Sequence, residues 1–332
     1  MSNTRNGFLS LEEVNVLKGI ALLFLLWHHL FFQQNGLYDD IILFNDFHLV
    51  NETGVLCKMC VAFFVYLSGY GLTRQAEKRE GLGSLGKWYH HRYLKLLANY
   101  WFIWILFVPI GVFVFDRTFA DAYHSQIALK LLADVLGISN AFGFHGYNPT
   151  WWFITCIICL YAVYPLLYKL AKRNLFYILA IGLIISLLPI KSGASNMHPY
   201  MLPFTAGIAM ALRPVQLSGG GKIIVLLSIP VLIAARLFLD FKFITDTLLS
   251  ISFTCTILSI SLSEIINKSL AFVGKHSMNI FLFHTFIFSH WFKSLIYFQK
   301  NPILIFLVFL AICLLISMML EWVKSKTLYR II

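Results

Sequence analysis

Apolar residues run along this chain in long blocks, each broken by a short polar stretch. A helix that crosses a bilayer needs about 20 mostly apolar residues. Ten segments approach that length, at roughly 14–33, 55–73, 97–115, 150–168, 174–190, 199–212, 223–239, 244–263, 277–293 and 302–323. The sixth is short and carries Pro203, so tilt or interruption is expected there. The pattern predicts an all-α, polytopic membrane bundle of about ten transmembrane helices. It forms one domain over 1–332, with no soluble domain appended.

Composition agrees with the pattern. Of 332 residues, 59% are hydrophobic and 12% charged, too little polar surface to cover a soluble globule. Aromatics reach 16%, which suits packed helices with interfacial belts. The N-terminal apolar run is long and lacks a small-residue cleavage site, so it does not read as a removable signal.

The net charge of +11 gains meaning from its distribution. Arg74, Lys78, Arg79, Lys87, Arg92 and Lys95 follow the second span. Lys169, Lys172 and Arg173 follow the fourth; Arg213 and Lys222 follow the sixth. Lys268 and Lys275 follow the eighth, and Lys324, Lys326 and Arg330 the tenth. All fall on one side of the expected bundle. The opposite side carries "NGLYDDIILFNDFHLVNET", with acids and neither Lys nor Arg. Excess Lys and Arg marks the cytoplasm, so both termini are expected there. This arrangement accounts for the basic charge without nucleic acid.

Three other signals read as structural. Cys57/Cys60 and Cys156/Cys159 have the C-x-x-C spacing but sit in or beside apolar runs, where cysteine acts as a small hydrophobe. No metal site is expected. "SGGGK", Ser218 to Lys222, lacks the rest of a phosphate-binding loop and reads as a flexible cytoplasmic turn.

Ionisable groups inside apolar helices are costly and point to function. On the first helix Lys18 and His29 lie eleven residues apart, almost three whole turns, so they share a face about 16 Å apart along the axis. Lys18 is nearer the cytoplasm. His28 is turned about 100° from His29 and is expected to pack or make one hydrogen bond. His284, in "IFLFHTFIF", lies near mid-membrane in a later helix. A lone histidine there can also be interhelical glue.

These features resemble the membrane-bound acyltransferase family 3. "KGIALLFLLWHH" is similar to its first helix, where Arg and His stand with ten residues between them; Lys18 and His29 take those places. "AFFVYLSGYGLT" resembles its second helix through Ser68 and Gly69. "RYLKLLANYWF" resembles its cytoplasmic Arg-x-x-Arg, with Arg92 and Lys95 on the basic places. "WFITCIICLYAVYPLL" matches through Trp152, Tyr161 and Pro165, "LPFTAGIAMA" resembles its Pro-Phe…Gly helix, and "VGKHSMNIFLFH" ends on Ser277 and His284. The matches come in family order. Lys replaces Arg at two places, Asn15 stands where Asp is frequent, and Ala98 replaces a Pro. Phe153 and Ile157 hold the places of a Ser and a Glu found in members with an appended hydrolase-like domain. The chain therefore resembles the smaller, single-domain branch that acylates polysaccharides.

The resemblance implies acyl transfer, most often of acetyl, from cytoplasmic acyl-CoA to a hydroxyl of an envelope carbohydrate: exopolysaccharide, capsule or lipid-linked glycan. It implies a bacterial-type plasma membrane, with membrane lipids as surroundings. Lys18, Arg92 and Lys95 are cations suited to the phosphates of coenzyme A, with no metal required. His29 is the candidate base or acyl relay, with Ser68 and His284 as candidate donors to the tetrahedral intermediate. "AFGFHGYNPTWW" offers His145, Trp151 and Trp152 to a sugar, with Asn15 a further substrate candidate; the tryptophans can equally form an aromatic belt. Two other functions fit ten spans: a transporter or flippase for carbohydrate, and a structural assembly protein. A transporter can do without a base, and an assembly protein leaves the Lys18–His29 face unexplained.

Overall fold

The computed structural model describes residues 7–328 apart from 35, 44, 45, 191, 192, 194 and 241. Arg330, counted above among the cytoplasmic cations, lies outside the described residues. The described chain is helical throughout, with one isolated bridge between Ile42 and His48 and no strand.

The helices are α1 (Leu11–Phe31), α2 (Leu49–Leu56), α3 (Cys60–Lys78), α4 (Leu85–Phe113), α5 (Phe119–Tyr123), α6 (Ile127–Val135) and α7 (Trp152–Arg173). There follow α8 (Leu175–Leu187), α9 (Met201–Leu212), α10 (Gly219–Phe238), α11 (Lys242–Ser259), α12 (Glu264–Lys275), α13 (Ser277–Thr285), α14 (Lys293–Tyr297) and α15 (Pro302–Lys326). Among the described residues six helical stretches are long and apolar enough to cross a bilayer alone: α1, the α2–α3 stretch, α4, Pro149–Arg173, α10 and α15. The other four expected spans are helical but shorter or more polar. α8 has 13 residues and α9 has 12. α11 buries Thr245, Asp246, Thr247, Ser250, Ser252 and Thr254. α13 has 9 residues and continues as a π-helix through Phe286–Trp291.

Local chemistry starts the helices. Ser10 and Glu13 form a reciprocal capping box at α1. Asn301 caps α15, with Pro302 in the first turn. Ser218 likewise caps α10, its hydroxyl accepting from the Gly221 amide at 3.3 Å. "SGGGK" is thus a helix start and not the flexible turn expected. The apolar face of α10 points outward, with Ile223, Ile224, Leu227 and Val231 all more than 60% exposed. That is the face lipid would cover.

Two glycine-mediated crossings seat the functional helices. A Cβ on Gly274 would lie 1.8 Å from the Asn15 carbonyl, and one on Gly19 2.2 Å from the Leu270 carbonyl. α1 and α12 therefore touch backbone to backbone beside Lys18. A Cβ on Gly69 would lie 2.3 Å from the Phe204 carbonyl, and one on Gly207 2.0 Å from the Tyr66 carbonyl, so α3 and α9 cross as closely beside Ser68. Small residues permit such approaches between membrane helices. α12 falls where the sequence pattern predicts only a connection.

Candidate active site

Two cavities lie along the Lys18–His29 axis. The first, of about 340 Å³, is walled by helix faces. α3 contributes Phe64, Ser68, Gly71 and Gln75, and α4 contributes Arg92, Lys95, Leu96 and Asn99. Those α4 positions recur at three- and four-residue steps, one stripe of a straight helix. α1 adds Lys18, α7 adds Phe153 and Tyr161, and α13 adds Ser277 and Phe281. Three cations thus converge and, among the described residues, no Asp or Glu lines the space. Arg92 gives one guanidinium nitrogen to Gln75, while its Nε is buried without a hydrogen-bond partner among the described residues. A buried N–H without an acceptor is costly, and an anionic ligand would relieve it. The Ser68 hydroxyl meets the Tyr161 hydroxyl at 3.3 Å in this same cavity. Ser68 therefore lies with the cations and not with the histidines.

The second cavity is larger, about 560 Å³, and lies toward the other end of α1. It is lined by His28 and His29, by Lys58, by Thr150 and Trp152, by Pro199 and Tyr200, and by Arg236, Asp240 and Asp246. The His29 ring makes no hydrogen bond to the described residues, and its centroid lies 4.9 Å from that of His284. His284 is wholly buried, its Nδ1 2.9–3.0 Å from the Phe281 and Ile280 carbonyls. Only a protonated nitrogen can donate to them, so Nδ1 carries the hydrogen and Nε2 is the acceptor. Nε2 lies 3.3 Å from the Thr285 hydroxyl, which lies 3.3 Å from that of Thr150. A polar chain thus joins His284 to a residue lining the cavity.

His28 reaches the same cavity, although helical spacing turns it away from His29. Both residues nevertheless border it. The His28 Nδ1 donates to the Gly54 carbonyl at 2.7 Å and the ring stacks on Phe32.

The tryptophans separate. Trp151 is buried, gives its indole N–H to the Leu282 carbonyl at 2.9 Å, and packs on Tyr100 and Phe286. It ties the Asn148–Trp151 turn to α13 and lines neither cavity. Trp152 does line the second one, 5.6 Å from the ring of Tyr200, which sequence reasoning did not single out. His145 is exposed and Asn15 is buried against Gly274; neither lines either cavity.

Sequence reasoning also missed the buried ion pair in the wall of the second cavity. Arg236 is 2% exposed, donates Nε and Nη2 to the Asp246 carboxylate, and sends Nη1 to the Val55 carbonyl at 3.2 Å. The signal was an Arg and an Asp, ten residues apart, each within an apolar stretch.

The two cavities share three lining residues, Phe64, Phe153 and Phe281, from α3, α7 and α13. Lys18, Arg92 and Lys95 stand on one side of this aromatic layer, and His28 and His29 on the other. The family model described as an acyltransferase domain, that of acyltransferase family 3, matches residues 11–322. The chain belongs to acyltransferase family 3. Comparison with curated proteins gives no match, and comparison with solved structures gives none. As a member of acyltransferase family 3 the chain is a membrane acyltransferase, and the match covers all six bilayer-length helices but for the last residues of α15.

Proposed function

We propose that this acyltransferase moves an acyl group, acetyl first among them, from cytoplasmic acyl-CoA to a hydroxyl of an envelope carbohydrate such as an exopolysaccharide, a capsule or a lipid-linked glycan. One observation carries the donor half: three cations border a cavity that no acid among the described residues lines. Coenzyme A is a polyanion, and Lys18, Arg92 and Lys95 are the partners its phosphates need. The ten apolar runs support ten spans, and the Lys/Arg asymmetry supports both termini and the 74–95 segment in the cytoplasm of a bacterial-type plasma membrane. The inner cavity then opens where acyl-CoA is made.

The acceptor half rests on the outer cavity. Trp152 and Tyr200 offer aromatic faces to a sugar ring, and Lys58, Asp240 and Thr150 offer polar contacts. His29 takes the hydroxyl proton as the oxygen attacks the thioester carbonyl. The tetrahedral intermediate collapses, the carbon–sulfur bond breaks, and the thiolate leaves and takes a proton. His284 positions the His29 ring from the neighbouring helix. The direct test is transfer of label from radiolabelled acetyl-CoA to the glycan fraction of host membranes. Label should appear with the wild-type protein and disappear with His29→Ala while CoA still binds. Full transfer by His29→Ala would overturn the assignment of the base, and failure of the wild-type protein to bind CoA would overturn the donor.

A further inference from the structure

The aromatic layer between the cavities takes no part in that proton transfer, yet the donor must cross it. The phosphates of acyl-CoA belong with Lys18, Arg92 and Lys95, whereas the reacting carbonyl belongs beside His29. On α1 these groups stand about 16 Å apart. Phe64, Phe153 and Phe281 are the residues that border both spaces. The rings of Phe153 and Phe281 lie 5.0 Å apart at 59°, and that of Phe281 lies 6.2 Å from His284. The layer thus reaches the histidine pair itself. All three side chains are apolar and none can hydrogen-bond a donor. What they can do is set the width of the passage.

We infer that Phe64, Phe153 and Phe281 form a filter that determines the length of the acyl chain, passing a group of a few carbons to His29 and holding back longer ones. The inference rests on the donor assignment above. Its physical basis is packing. Each extra methylene must find room beside Phe64 and the contacting rings of Phe153 and Phe281, and apolar sites discriminate by about 10–200-fold per methylene. The three rings come from three different helices, so their spacing is set by helix packing and not by one flexible loop. Phe153 is the most direct probe. It stands in the first turn of α7, directly after the cavity residue Trp152, and borders both cavities.

The experiment compares acetyl-, butyryl- and hexanoyl-CoA as donors to the host glycan fraction, using the full-length protein in native membranes. Wild type, Phe153→Ala, Phe153→Leu and Phe281→Leu are measured, with CoA affinity determined separately for each. Wild type should transfer acetyl at least about 10-fold faster than hexanoyl. Phe153→Ala should raise the hexanoyl-to-acetyl ratio about 10-fold or more, a ratio that any common change in CoA affinity leaves unaltered. Phe153→Leu and Phe281→Leu, which keep the core filled, should show the same direction more weakly. An unchanged ratio in all three variants, with acetyl transfer and CoA binding intact, would sink the filter and leave the donor assignment standing. So would equal use of hexanoyl by wild type. Absence of CoA binding in wild type would sink both.

Discussion

The inner cavity is bounded by continuous helix faces: its charged residues sit on α1 and on one stripe of α4, in register with the helical repeat. The outer cavity combines helix faces with interruptions. Lys58 stands in the single 3₁₀ turn Cys57–Met59 that breaks the second span. Thr150 and Trp152 come from the turn into α7, Ser195 and Pro199 from the connection before α9, and Asp240 from the link between α10 and α11. Two hydrogen bonds between the Asn140 side chain and the Ser195 backbone, at 3.0 and 2.7 Å, hold two of those connections together. Irregular backbone at membrane depth is tolerated where it lines a cavity. A helix-walled pocket can hold an invariant ligand such as a cofactor tail, whereas a pocket partly walled by connections can change its shape there as the acceptor changes without disturbing the bundle.

The largest effect should fall on the histidines. His29→Ala is expected to lower acyl transfer by about 10²–10⁴-fold, the usual cost of a missing base, at unchanged CoA affinity. His28→Ala should lose less, because its ring is committed to the Gly54 carbonyl. If His28→Ala abolishes transfer and His29→Ala does not, the base is on the neighbouring residue and the outer cavity must be read from the other side of α1.

Next comes the wall of the outer cavity. Asp246→Ala leaves the Arg236 guanidinium buried without its carboxylate, and breaking such a pair typically costs about 3–5 kcal/mol. Thermal unfolding in detergent should therefore fall markedly for Asp246→Ala. The double variant Arg236→Met with Asp246→Leu should recover much of the loss. No recovery would mean that the pair does more than neutralise itself.

The inner cavity should respond in steps. Lys18→Ala and Arg92→Ala are each expected to weaken CoA binding about 10-fold or more, since a hydrogen bond to a charged group is worth about 1.5–3 kcal/mol. Lys95→Arg should preserve binding, because the charge is kept. Acetyl-CoA affinity unaltered by both alanine variants would reduce the cations to markers of orientation and remove the functional half of the contrast.

The smallest effects should separate the two tryptophans. Trp152→Ala should raise the apparent KM for the acceptor with little loss of stability. Trp151→Ala should lower stability, since it removes a buried ring and its bond to Leu282. The reverse outcome would place the sugar platform on the buried side of the turn.

How much of this was legible in advance follows the same division. The bundle, the positions of its long helices and the stripe of Lys18 and His29 on α1 are properties of local order. Apolar runs and a repeat of 3.6 residues are written in neighbouring positions, and lipid penalises any other arrangement of the backbone. The cations of the inner cavity were legible for that reason. α12 was not, because its seat on α1 depends on Gly274 meeting Asn15 and Gly19 across more than 250 residues of chain. Nor was the division between Trp151 and Trp152, adjacent residues sent to opposite environments by one turn of backbone.

The sequence by itself determined that this chain is a membrane helical bundle, with a cation and an imidazole on one face of its first helix. Only the tertiary structure decided that Ser68 joins the cations, that His284 meets His29, and that three phenylalanines stand between the two groups. The physical reason is range. Helix formation and burial in lipid are settled by residues within a few turns, whereas a cavity is the space left where helices distant in sequence fail to close, and its lining depends on every crossing around it.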